Sequence, residues 1–341
     1  MISSRFSRLR LVVLAAAVVA CGIGSDRAAA AGTELRIATV APTGSSFHKR
    51  LQALGIEWSR GAGAVSMNIY AGTQGGELQI VRRMRVGQIQ GAMLSAVGLA
   101  QIDRSVTALQ YMPLMFRDWD DVDAVRARLR PELERRLNDA GYVVMFWGDA
   151  GWVRYFSNKP ISRLQDLKSM RVYASSGDPE SVEIMKSYYT PVVLEPDQIL
   201  LGLRNGMIDA LPVPAFLANF SQVPSYAPYM LDLRWAPIAG ALVVTKRAWD
   251  KLDAATRAWL RETSERAGHE MRSASRAEDE QAVQAMKDKM GLRVVPMTPE
   301  AEREWRVEVA RIYPRIRGTL VPAPMFDATV ETLKARHADE T

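Results

Sequence analysis

The alternation of apolar and polar positions begins at Glu34. ELRIATVAP (34–42) alternates and stops at a proline, which predicts a strand. Phe47, Leu51, Leu54 and Trp58 then recur at helical spacing, with Ser45 or Ser46 as N-cap and Gly61 or Gly63 as the stop. VSMNIYAG reads as a second strand, GELQIVRRMRVGQ as a helix and IQGAMLSAV as a third strand. A β-α-β-α-β run of this kind implies an α/β unit with parallel strands.

The pattern is then repeated. YVVMFWGDAGWVRYFSN predicts one long extended segment with a break between Gly148 and Gly151. SMRVYAS, TPVVLEP and MIDALPVP are strands, separated by helices over PESVEIMKSYY and PDQILLGLRNG. This second α/β unit runs from about Gly151 to Trp235, and GALVVTKRAWDKLD gives a further crossing strand. From Asp253 the chain has no proline until past Gly291, which predicts one long helix capped by Asp253 and stopped by Gly291. At 1.5 Å per residue it would be about 55 Å long, enough to touch both units. A last strand, GLRVVPM, and helices from Pro299 onward close the chain. The composite is two α/β lobes joined by crossing strands, an architecture that places ligands in a crevice at strand C-termini.

Composition changes this picture little, since 48% hydrophobic and 24% charged residues are ordinary globular values. The net charge of +6 invites a nucleic-acid reading, but Arg5, Arg8 and Arg10 supply half of it within the first 21 residues. The remaining basic residues interleave with acidic ones, as in SRAEDEQAVQAMKDK, a solvated helix face and not a phosphate track. No nucleic-acid partner is expected. The N-terminus itself is informative: a basic MISSRFSRLR precedes LVVLAAAVVA, an apolar core too short to span a bilayer, so 1–31 reads as an export signal. Two processing readings stand. SDRAAAAG permits cleavage near Ala30, while VVAC fits a lipobox that would acylate Cys21, leaving 1–20 as signal and 21–32 as linker. Cys21 is the only cysteine, so no intramolecular disulfide forms.

Catalytic chemistry is poorly represented. His48, His269 and His337 are far apart, without metal spacing, and His269 and His337 lie on polar helical stretches that read as solvated. There is no Walker loop, nucleophile elbow or dinucleotide fingerprint, and AGTQGG reads as a plain turn. Ser45, Ser46 and His48 are better explained by helix capping than by nucleophilic catalysis. Asp149 and Asp197 read as isolated carboxylates. No catalytic residue, cofactor or metal is expected.

Four stretches in fixed order carry a resemblance: IATVAPTGSSFHK, YAGTQGGELQIVRRMRVGQIQGAMLSAV, SNKPISRLQDLKSMRV and DQILLGLRNGMIDALPVP. Together they resemble the solute-binding proteins of tripartite ATP-independent periplasmic (TRAP) transporters, the DctP family, from about Glu34 to the 320s. The resemblance implies a two-lobed periplasmic binding protein of type II-like α/β fold, with a long helix spanning both lobes. Lobe I would comprise 33–148 plus about 238–283, and lobe II 149–237 plus about 284–325. It also implies a small organic ligand held in the cleft, closure of the lobes, and docking on membrane permease subunits driven by an ion gradient.

The departures from the family pattern concern the ligand. The family's anchoring arginine follows a pattern like L-K-G-L-K-I-R-V. Here Leu167 to Tyr173 puts Arg171 on the second basic position and Tyr173 in the anchor's place. A second family arginine precedes S-N-x-x-I, and ungapped matching to Ser157–Ile161 gives Val153, whereas a one-residue slip gives Arg154 on the other face. The family's V-D-G-Q-E-N-P reads Ile208 to Pro214 here, with Val213 for the ligand-reaching Asn. Ser95 and Phe47 follow strands and would reach the same crevice. Trp152 and Phe216, with Trp147 and Trp235, could supply apolar walls or simply pack the core. Three readings follow: an organic acid held by Arg154 or Arg171, a more apolar ligand against Tyr173, Val153 and Val213, or a hydrophobic-ligand carrier or sensor with no dicarboxylate role.

Overall fold

The computed structural model describes residues 33–61 and 63–338. The segment read as an export signal, and Cys21, lie outside the described residues. Among the described residues, ten strands form one sheet: β1 (Glu34–Thr39), β2 (Ser66–Ala71), β3 (Gly91–Ser95), β4 (Tyr142–Ser157), β5 (Arg171–Ser175), β6 (Thr190–Leu194), β7 (Ala210–Pro214), β8 (Tyr229–Leu231), β9 (Ala236–Thr245) and β10 (Arg293–Val295). The main path runs β2-β1-β3-β9-β4-β7-β5-β6, with β8 pairing both β4 and β10.

Parallel pairing occurs in two groups along the main path and in the side pair β8–β10. β1 lies parallel to β2 and β3, and β5 lies parallel to β6 and β7. Between them, β9 and β4 run antiparallel to each other and to their outer neighbours. These are the crossing strands that join the two lobes. The break expected between Gly148 and Gly151 is an irregularity inside a continuous strand: the β4–β9 register shifts between Asp149 and Trp152. Gly151 has φ +85°, and a Cβ there would stand 2.4 Å from the Asp279 carboxyl carbon, so both backbone and space demand glycine.

The helices follow the spacing of their apolar residues. Ser46–Arg60 buries Phe47, Leu51, Leu54 and Trp58, is capped by Ser45 and ends at Gly61. Trp119–Asp139 arises where the pattern defines no element, because Pro131 and a charged face mask its buried Val122, Val125, Leu129, Leu133 and Leu137. The long helix is Ala254–Met290, capped by Asp253 accepting from the Thr256 N–H and stopped at Gly291. Its buried stripe is unusually small and polar, including Thr263, Ser264, Gly268, Ser275 and Asp279. That lets the helix lie close against β4. A Cβ on Gly268 would approach the Phe146 Cβ to 2.4 Å. Leu260 and Met271 join one apolar cluster with β1 and the first helix, and Ala282 and Met286 join another with β7. One helix thus spans both lobes. Among the described residues, no helix is long and apolar enough to cross a membrane.

Candidate functional site

A cavity of about 610 Å³ opens at the strand ends between the lobes. Lobe I contributes Phe47 from the first helix, Glu77 from the start of the next, and Ser95 at the end of β3. The other lobe contributes Tyr173 from β5, Val213 at the end of β7 and Phe216 just beyond it. Phe47 and Phe216 meet across the cleft with ring centroids 5.2 Å apart. The crossing strands add Val153 and Tyr155, and Trp235 precedes β9.

The polar groups of the wall largely satisfy one another. Glu77 accepts from the Ser95 N–H and Ser95 hydroxyl, both at 2.6 Å, and from the Gly98 N–H at 2.8 Å. Burial nevertheless pushes its carboxyl pKa up, with those three donors opposing the shift. Tyr111 hydrogen-bonds Asp178, and burial, then that carboxylate, raise its phenol. Tyr155 and Tyr189 hydrogen-bond each other. Burial pushes the Tyr173 phenol up to about 12, opposed by a bond with Ser175. Among the described residues no Lys, Arg or His lines the cavity, whereas Glu77, Asp149, Asp178 and Asp197 do.

The two arginines expected near the cleft are elsewhere. Val153 lines the cavity. Arg154 is 3% exposed and bonds Asp279 at 2.7 Å and Glu280 at 3.0 Å, both on the long helix. Arg154 pairs in register with Val213, so the two share a face of the sheet. Val153 and Tyr155, the neighbours of Arg154 on β4, line the cavity from the opposite face, so strand alternation turns the guanidinium away and Asp279 holds it there. Asp279 also accepts from the backbone N–H groups of Trp152 and Phe216, which fixes the cavity's end wall. Arg171 is exposed and forms a two-pronged pair with Asp209, both bonds 2.9 Å. Trp152 does not line the cavity; it is fully buried against Trp119, centroids 4.8 Å apart. Trp147 also points elsewhere, donating to Glu134.

Two other expectations need correction. Asp149 is not isolated: it is 1% exposed, pairs with Arg126, and accepts from Arg276 at 2.6 and 2.9 Å. His337 is not solvated, because its Nε2 lies 2.9 Å from the buried Asp121 carboxylate. Ser45 does act as a cap, and His48 Nδ1 accepts from the Gly44 N–H at 3.0 Å, so neither is arranged as a nucleophile–base pair. Among the described residues no cluster of three or more His, Cys, Asp or Glu could hold a metal ion.

Sequence reasoning missed Glu77, Tyr111, Tyr155 and Tyr189. Tyr155 was reachable, since it lies two residues from Val153 on the same strand and must share its face. Tyr111 sits between a short 3-10 helix and a turn, where no periodicity marks it.

Residues 37–318 match the model of the family described as "Bacterial extracellular solute-binding protein, family 7", DctP. The chain belongs to the DctP family. A curated relative, the C4-dicarboxylate-binding periplasmic protein DctP of Rhodobacter capsulatus, is 21% identical over 71% of this chain and 74% of its own length. Among solved structures, a TRAP periplasmic solute-binding protein from Ralstonia eutropha H16 with bound (S)-2-acetolactate superposes with a TM-score of 0.82. It is 18% identical and covers 89% of this chain and 99% of its own. DctP7 of Bordetella pertussis, a receptor binding pyroglutamic acid, gives 0.80 at 18% identity, covering 89% and 100%. At these identities the structures establish the fold of this DctP-family chain. The family is one of transport substrate-binding proteins, periplasmic in location, and not a family of enzymes.

Proposed function

We propose that this chain binds one small organic solute between Phe47 and Ser95 on one side and Tyr173, Val213 and Phe216 on the other. As a TRAP-type receptor it hands that solute to membrane permease subunits. The observation that carries the site assignment is the cavity itself. It is large, sits where the crossing strands join the lobes, and is walled mainly by aliphatic and aromatic side chains, the usual character of a ligand pocket. The lobe limits proposed are 33–148 plus about 238–283, and 149–237 plus about 284–325, with β4 and β9 as the connection that bends.

The same site runs no reaction in this reading. Glu77, Asp149 and Asp178 are engaged in caps and ion pairs, and the serines of the wall lack a facing base. The related structures hold organic acids, among them succinate in a Shewanella oneidensis protein and galactonate in one from Advenella mimigardefordensis. Membership of a transport family favours a receptor over a carrier or sensor that serves no permease.

Small-angle scattering on the exported protein tests this reading. The radius of gyration should fall when a bound solute is restored to ligand-stripped protein. A solute that binds with no change in scattering would contradict the closure, and a Phe216→Ala variant that binds it as tightly as wild type would contradict the site.

A further inference from the structure

We infer that the solute is uncharged, with a largely hydrocarbon body. This deepens the receptor reading above and rests on it. Two observations carry the inference.

The first is charge. A carboxylate taken out of water needs a cation or several donors. Among the described residues the cavity wall contains no cation, and the nearest guanidinium along the strand, Arg154, is already bound by Asp279 and Glu280. The wall is acidic instead. Asp149 is matched by Arg126 and Arg276, but Glu77 and Asp178 bring carboxylates with no cation on the cavity side. An anionic ligand would meet repulsion there. A cationic ligand gains little, because Glu77 has its oxygens filled by Ser95 and Gly98 and its pKa is raised by burial.

The second is size and polarity. A cavity of about 610 Å³ walled by Phe47, Tyr173, Val213, Phe216 and Trp235 would leave a C4 diacid in contact with little of the surface. A bulky hydrocarbon fills it.

The test uses three probes with one rigid skeleton: 1-adamantanemethanol, 1-adamantanecarboxylate and 1-adamantanemethylamine. They are titrated by calorimetry into the exported protein at pH 7.5, after unfolding and refolding to strip bound solute. The alcohol is expected to bind at least about tenfold tighter than the carboxylate. Tyr173→Arg, which places a guanidinium in the wall, is expected to narrow that ratio or reverse it, with the wild-type comparison standing alone if the variant does not fold. Equal or tighter binding of the carboxylate or the ammonium overturns the inference, as does failure of the alcohol to bind. Succinate, galactonate and pyroglutamate are titrated alongside. Tight binding of any of them overturns the inference and leaves the receptor reading standing, whereas no binding by any probe brings down both.

Discussion

The seam between β4 and the long helix differs sharply from the cavity a few ångströms away. Both are built from the same strand. The seam gathers Arg126, Arg154, Asp149 and Asp279 out of water, with Arg276 partly buried and Asp123 half-exposed at its edge. The cavity holds aromatic rings, aliphatic side chains and hydroxyls, and no cation among the described residues. The charges that would serve an anion receptor are spent on joining a helix to a sheet. A family scaffold can therefore keep its fold while its pocket changes character.

The largest expected effect belongs to the seam. Asp279→Ala would leave Arg154 buried with only the half-exposed Glu280, and would unpair the Trp152 and Phe216 N–H groups. Breaking a buried pair in this way costs about 3–5 kcal/mol, measured by urea unfolding. If Arg154 were a ligand anchor after all, Asp279→Ala would instead free it and raise affinity for carboxylates. Gly268→Ala comes next, at about 1–3 kcal/mol, because the added methyl must push the helix off Phe146. A loss near zero there would mean the helix is not held close to β4.

Cavity substitutions should behave in the opposite way, changing affinity more than stability. Val213→Asn puts an amide against the solute and should weaken binding about tenfold, or roughly 1.4 kcal/mol, by calorimetry with the co-purified solute. A tighter complex would mark the ligand as polar.

Smaller still is a pH effect from Glu77. Burial raises its folded pKa above the unfolded value, so the folded state holds the proton more tightly. Its favourable contribution is complete below the unfolded pKa of about 4.5 and is lost as pH rises through the higher folded value. Glu77→Gln should remove that fall, seen as a flatter stability profile than wild type from about pH 4.5 upward. A steeper profile would show the three donors outweighing burial. Arg171→Ala should change nothing in carboxylate affinity, since its partner is Asp209 on the surface. Loss of binding in that variant would move the site.

Element order and type were largely legible from residue patterns. The strands of both units alternate, and the long helix announces itself by Asp253, Gly291 and the lack of proline between them. The helix Trp119–Asp139 was not legible, because Pro131 sits in its interior and its arginines and acids dominate the local composition. At the site, Phe47, Ser95, Val213 and Phe216 could be placed because each lies at or just past the end of a strand, and Tyr173 because it takes the family anchor's position on β5. Arg154, Arg171 and Trp152 could not. Their positions depend on partners distant in sequence: Asp279 lies 125 residues from Arg154, and Asp209 lies 38 from Arg171. Periodicity gives the face a side chain leaves from. It does not give the charge waiting on the far side.

The most direct measurement is native mass spectrometry of the exported protein purified without detergent, followed by denaturation and identification of what is released. An uncharged, largely hydrocarbon molecule in one-to-one complex is the result predicted by a cavity that, among the described residues, has no cation in its wall. A small carboxylic acid released from wild type would contradict it, and would mean that some donor other than Arg154 or Arg171 compensates the charge.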